Sequence, residues 1–111
     1  MALKVYWTDF AKNELKQIIL YYKSHADTQI AKNIARKITD SAKKLGDFPQ
    51  LGSLEPLLSR HSDGKEKNFR YIISTNYKII YFINSSKNQI EIIDIFATKQ
   101  NPEKLARYTF T

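Results

Sequence analysis

Eight consecutive residues, Tyr77 to Asn84 (YKIIYFIN), put apolar side chains on nearly both faces of a strand. Tyr77, Ile79, Tyr81 and Ile83 project one way, and Lys78, Ile80, Phe82 and Asn84 the other. A strand wetted on one side alternates apolar with polar residues, so this run predicts a central strand. Its neighbours are at hand. Phe69 to Ser74 (FRYIIS) precedes it across Thr75-Asn76, and Ile90 to Ala97 (IEIIDIFA) follows across Ser85 to Asn88. Short turns between strand-like runs predict an antiparallel meander. The remaining question is what covers the sheet.

The N-terminal half supplies the cover. Leu3 to Trp7 reads as a strand, and Thr8-Asp9 offers a helix N-cap directly behind it. Over Phe10 to Ser24, the residues Phe10, Ala11, Glu14, Leu15, Ile18, Ile19 and Tyr22 share about half of a helical wheel at ~100° per residue. Asp27 caps a second helix from Thr28 to Leu45, with Ile30, Ile34, Ile38 and Leu45 on one face. Gly46 reads as its terminator, with Pro49 beyond. The short link makes the two helices an antiparallel hairpin. Phe48 to Lys67 reads as a loop-rich connector, and Asn101-Pro102-Glu103 starts a short C-terminal helix.

At 111 residues the chain is one domain, because two cores would each fall below the size that folds unaided. The predicted class is α+β in the order β-α-α-β-β-β: an N-terminal strand, a helical hairpin packed on a small antiparallel sheet, and a short C-terminal helix. The hairpin covers one sheet face. The other is expected to face solvent or a partner, with Arg70 and Lys78 gathering positive charge across the strand hairpin.

Charge narrows the partners. The net formal charge is +7, and it is uneven: residues 1–45 carry nine basic and four acidic side chains, residues 46–75 four and four, and residues 76–111 five and three. Lys12, Lys16 and Lys23 lie opposite the apolar arc of the first helix, and Lys32, Arg36 and Lys43 line up on the second. Such stripes keep a surface helix soluble or receive an acidic partner. The absence of cysteine removes disulfides and thiolate sites, and two isolated histidines, His25 and His61, make no metal cage. No cofactor and no metal are expected. No apolar run approaches the ~18 residues of a membrane span, and Met1 to Tyr6 lacks the apolar core of a secretory signal, so a cytoplasmic protein is expected.

Four segments, in order, carry a resemblance. They are the first strand ending in Trp7 with its Ala11/Leu15/Ile18/Tyr22 helix, then Leu45 to Gly52 (LGDFPQLG), then Arg70 with Tyr77 to Tyr81 (YKIIY), and last Ile95 to Leu105 (IFATKQNPEKL). With these, nearly the whole chain resembles the RelE/ParE toxins of bacterial type II toxin–antitoxin modules. The resemblance implies a helical hairpin on a small antiparallel sheet and neutralisation by a cognate antitoxin. It implies one of two targets: DNA gyrase for ParE-like members, or messenger RNA in the ribosomal A site for RelE-like members.

The second activity needs a proton acceptor for the 2′-hydroxyl, a donor for the leaving 5′-oxygen, and cations for the phosphate. By the resemblance, Lys78 stands where RelE-like enzymes place an arginine, which keeps the cation and loses the guanidinium fork. Phe69 and Tyr71 stand where two lysines are expected, and Gln100 replaces a further arginine. Tyr108 is the candidate for the tail tyrosine. Arg70 either contacts phosphate or pairs with Glu91 or Asp94, and His61 is either a general acid or a bystander. The series Tyr71, Tyr77, Tyr81 and Phe82 stacks bases or fills the core. Glu14, inside an apolar arc, is expected to meet a tyrosine hydroxyl or a lysine.

A nuclease would therefore use Lys78, Arg70, His61 and Tyr108. The missing cations and the long hairpin favour a ParE-like gyrase inhibitor, with a ribosome-dependent endoribonuclease second and a non-toxic basic nucleic-acid-binding module third. In each toxin reading the acidic antitoxin lies over Lys12, Lys16, Lys23, Lys32, Arg36 and Lys43.

Overall fold

The computed structural model describes residues 2–55 and 69–98. The elements are β1 (Lys4–Trp7), α1 (Asp9–His25), α2 (Thr28–Asp47), β2 (Ser53–Leu54), β3 (Phe69–Ser74), β4 (Tyr77–Asn84) and β5 (Gln89–Ala97). They form one five-stranded sheet in the order β1-β5-β4-β3-β2, with both helices on one face. The α+β class, the helical hairpin and the central place of β4 agree with the sequence reading. His61, Tyr108, most of the connector and the expected C-terminal helix lie outside the described residues.

Both predicted N-caps form. Thr8 Oγ1 accepts from the Ala11 N–H at 3.2 Å, and Asp27 Oδ1 accepts from the Ile30 N–H at 2.8 Å. Each satisfies one of the donors that a helix start leaves open. The Thr8 hydroxyl also donates to the Ile92 carbonyl at 2.8 Å, so the same residue that starts α1 fastens it to β5.

The core lies between the hairpin and the sheet. Ala11, Ile18, Ile38, Ala42 and Leu45 from the helices meet Ile79, Tyr81, Ile90, Ile92 and Ile95 from β4 and β5. Fully burying an aliphatic side chain such as Ile38 or Leu45 contributes about 1.5–3 kcal/mol. Two residues assigned to these faces from periodicity sit at the rim instead: Phe10 and Ile30 are exposed. They belong to the first turns of their helices, at the ends of the covered surface.

Four features depart from the sequence reading. The sheet is mixed, because β1 runs parallel to β5 while the other pairs are antiparallel. The connector contributes the two-residue edge strand β2. Gly46 does not terminate α2, which continues to Asp47. A Cβ at Gly46 would lie 2.6 Å from the Leu3 carbonyl oxygen, and the Leu3 N–H donates to the Gly46 carbonyl at 2.8 Å. The glycine is thus there to let helix and strand backbones touch. Finally, β5 carries a register shift opposite Ile80/Tyr81, so Ile92 and Ile95, three residues apart, both reach the helix-facing core.

The outer sheet face is not bare. Ile80 and Phe96 are buried there, with Phe69, Tyr71 and Ile93 packed against them. The expected open face is thus covered at its centre by Ile80 and Phe96, while Lys78, Phe82 and Asn84 around them stay half-buried.

Candidate functional site

The two cations expected to work together lie on opposite faces of the sheet. The two-residue turn at Thr75-Asn76 pairs Ser74 with Tyr77, which sets Arg70 opposite Tyr81 and Lys78 opposite Ile73. Directly opposed residues share a face, so Arg70 joins the row of Tyr81 and Ile79 under the helices. Lys78 joins Ile80 and Phe82 on the outer face. Glu91 and Asp94 lie opposite Phe82 and Ile80, away from Arg70, which removes the alternative pairing as well.

Each cation has its own binding role within the chain. Arg70 donates from Nη1 to the Gly52 carbonyl at 2.8 Å. On the other side of that glycine, its N–H donates to the Tyr81 hydroxyl at 2.9 Å, and that hydroxyl donates to the Pro49 carbonyl at 2.8 Å. Tyr81 is fully buried, and burial raises its pKa, while the Gly52 N–H and the Arg70 charge act in the opposite direction. A Cβ at Gly52 would stand 2.5 Å from the Tyr71 carbonyl oxygen and 2.7 Å from the Tyr81 hydroxyl. Pro49 and Gly52 of the LGDFPQLG segment are therefore parts of a clamp that holds the chain leading into β2.

That clamp delivers Glu55 to Lys78. The Glu55 N–H donates to the Phe69 carbonyl at 2.7 Å, continuing the β2–β3 ladder, and Glu55 Oε2 lies 2.5 Å from Lys78 Nζ. The Lys78 ammonium also sits 4.1 Å from the centre of the Tyr71 ring, which adds a cation–π contact. The Glu55 side chain is 2% exposed and that of Lys78 21%. The pair is largely out of water, and a lysine held this way has its charge already matched.

The aromatic residues divide in the same manner. Tyr81 is core, Phe82 meets Phe69 edge to face at 5.5 Å, and Tyr77 donates to the Tyr22 hydroxyl at 3.3 Å. Burial and the Tyr22 hydroxyl hold the Tyr77 pKa well above the usual phenol range. Glu14 lines a cavity of about 410 Å³ together with Tyr22 and Tyr77. Each of these rings is thus engaged by a neighbour within the chain. His25, the described histidine, stacks on Tyr21 at 4.2 Å and hydrogen-bonds the Tyr21 carbonyl.

The basic helix faces are as expected. Lys12, Lys16, Lys23, Lys32, Arg36 and Lys43 are all exposed. Lys12 and Lys16 rim a hollow of about 360 Å³ whose walls include Trp7, Leu15, Ile19 and Thr39, where α1 meets α2 beside β1. Among the described residues no group of three His, Asp or Glu side chains is arranged to hold a metal ion. No described helix is long and apolar enough to cross a membrane.

Against this geometry, the family model for the ParE toxin of the type II toxin–antitoxin system parDE matches residues 5–102. The chain belongs to the ParE toxin family. Curated protein sequences give no match. Solved structures share the fold. The chromosomal ParDE system of P. aeruginosa is 17% identical with a TM-score of 0.69, over 88% of this chain and 98% of that one. The RelBE2 toxin–antitoxin complex of Mycobacterium tuberculosis is 13% identical with a TM-score of 0.61, over 87% and 99%. The RelE–RelB complex of Pyrococcus horikoshii is 13% identical with a TM-score of 0.60, over 91% and 100%. At such identities the structural likeness speaks to the fold, and the family match to the class: a ParE-family toxin of a type II toxin–antitoxin system.

Sequence reasoning missed Glu55, Gly52 and the Tyr81 hydroxyl. Glu55 follows a two-residue strand too short to show a period. The separation of Arg70 from Lys78 was readable, since the two-residue turn alone fixes which residues oppose each other.

Proposed function

We propose that this ParE-family toxin acts by protein–protein contact, blocking DNA gyrase without breaking a bond, and that an acidic antitoxin holds it inactive. The observation carrying this reading is that Arg70 and Lys78 lie on opposite faces of the sheet and that Lys78 is charge-paired within the chain. Cleavage of RNA by 2′-hydroxyl attack needs cations converging on one phosphate. Here Lys78 is paired with Glu55 on one face, and Arg70 is bonded to Gly52 on the other.

The antitoxin surface is the lysine-bearing hairpin. Trp7, Leu15 and Ile19 offer apolar contact in the hollow that Lys12 and Lys16 rim, a combination suited to an acidic amphipathic segment. The structures that share the fold include toxin–antitoxin complexes, which supports an antitoxin partner here.

Inducing the chain alone in a bacterium, while following plasmid supercoiling and translation in parallel, tests the reading. Early loss of negative supercoiling with intact messages is expected. Messages cut on ribosomes before any change in supercoiling would replace it with the RelE-like nuclease, and growth without any effect would leave the binding module.

A further inference from the structure

The corner where β2 begins carries a stretch of sheet edge that no described strand covers. β2 opposes only Arg70 and Tyr71 of the six-residue β3. Alternate residues of an antiparallel strand bond to opposite neighbours. Because the Phe69 carbonyl accepts from Glu55 on the β2 side, the backbone N–H and C=O of Tyr71 and Ile73 point to that side too. At Ile73 no described strand meets them. Sheet proteins protect such edges with charges, proline or bulges. The run Ile72-Ile73-Ser74 has none of these, and Ile73 is 53% exposed.

The surroundings are shaped for an extended chain. A groove of about 530 Å³ runs between the end of α2 and this edge, lined by Ser41, Lys44, Leu51, Gly52, Ser53 and Ile73 among others. Its wall is fixed, since the Ser41 hydroxyl donates to Ser74 at 2.9 Å and the Ser74 hydroxyl to the Lys37 carbonyl at 3.2 Å. Leu51 also lines a second hollow of about 360 Å³ beside Phe48, so the apolar surface continues past the groove. Among the described residues lining the groove, Lys44 is the charged side chain and none is acidic.

We propose that β3 accepts an added strand at Ile73 from a partner protein, an extended segment alternating apolar and acidic residues, with its acids at Lys44 and its apolar side chains beside Ile73. The inference does not rest on the gyrase reading. Main-chain bonds to the edge supply affinity, and Lys44, on a chain of net charge +7, selects the acidic segment over a basic one.

The probe is a capped six-residue peptide of alternating valine and glutamate, titrated into the labelled protein and read by amide chemical shift and hydrogen exchange. Binding is expected to protect the Ile73 amide, and a valine–lysine peptide to bind at least tenfold more weakly. Ile73→Pro removes that N–H at a position where a sheet edge tolerates proline, so it should abolish docking while the melting curve stays close to wild type. Lys44→Glu, which leaves the edge intact, should weaken the acidic peptide at least tenfold. Equal binding to wild type and to both variants would overturn the proposal. So would protection of Ile73 that appears without peptide and grows with protein concentration, since the occupant would then be a second copy.

Discussion

The two faces of the sheet bury polar groups by different means. Under the helices, the Tyr81 hydroxyl is satisfied by backbone alone, accepting from Gly52 and donating to Pro49. On the outer face, the Lys78 ammonium is satisfied by another charge, Glu55. A neutral hydroxyl costs little to desolvate and returns two hydrogen bonds, whereas a buried ion pair must recover a desolvation cost of several kcal/mol by its own attraction. The helix-facing arrangement is thus a device for stability. The outer arrangement contributes specificity of a costly kind: it ties the end of β2, across β3, to β4 and keeps Lys78 paired with Glu55.

The largest effect is expected at Gly52, where both arrangements meet. Alanine there would push a methyl into the Tyr71 carbonyl and the Tyr81 hydroxyl. Gly52→Ala should lower stability by about 3 kcal/mol, the upper part of the overpacking range, as read by urea denaturation. A change below ~0.5 kcal/mol would mean that the clamp is loose.

Next comes the ion pair itself. Lys78→Met leaves the Glu55 carboxylate buried without the ammonium, and after discounting for the partial exposure of Lys78 the loss is about 2 kcal/mol. Adding Glu55→Met should recover most of it, since apolar replacement of both partners is often neutral. A double variant no better than the single would show that Glu55 matters through something other than Lys78. Tyr81→Phe should fall below both at about 1.5 kcal/mol, because it leaves the Gly52 N–H and the Pro49 carbonyl without the hydroxyl.

A smaller effect is expected on the exposed hairpin. Charge reversal at Lys12, Lys16, Lys32 and Arg36 should leave the fold unchanged and slow association with the antitoxin about tenfold or more at low salt. Stopped-flow rates that do not change would remove electrostatic steering from the account.

These contrasts also mark what the sequence can reveal. Periodicity exposes whatever repeats: the lysine stripes, the aliphatic faces of α1 and α2, and the doubly apolar β4. It does not expose single close approaches. Gly46 looks like a helix terminator because glycine commonly ends helices, yet the backbone of Leu3 is what requires it. The parallel pairing of β1 with β5 depends on where the hairpin returns the chain, and nothing local to Lys4–Trp7 encodes it. The site was harder to read than the fold because its partners are distant in sequence, Tyr81 with Pro49 and Lys78 with Glu55. Only Arg70 and Lys78 were separable by counting, since from the pair Ser74–Tyr77 Arg70 is four steps along β3 and Lys78 one step along β4.

The smallest effect distinguishes the helix-facing tyrosines from the charged outer face by pH. Free tyrosine ionises near pH 10.0, and burial with the Tyr22 hydroxyl holds Tyr77 neutral to higher pH in the folded chain. Tyr81 is shifted in the same direction. Above about pH 10 the unfolded state therefore binds fewer protons than the native one, so stability falls as pH rises. Below that pH both states are protonated and these groups give no slope. Tyr77→Phe removes one of the two groups and a 3.3 Å hydrogen bond, so at pH 8 it should cost about 0.5 kcal/mol. Between pH 10 and 11 its stability should fall less steeply than that of the wild type, and the two curves should converge. Urea midpoints measured across this range decide the matter: parallel curves would mean that Tyr77 titrates as a free phenol and that the helix-facing side does not hold it as the hydrogen bond to Tyr22 implies.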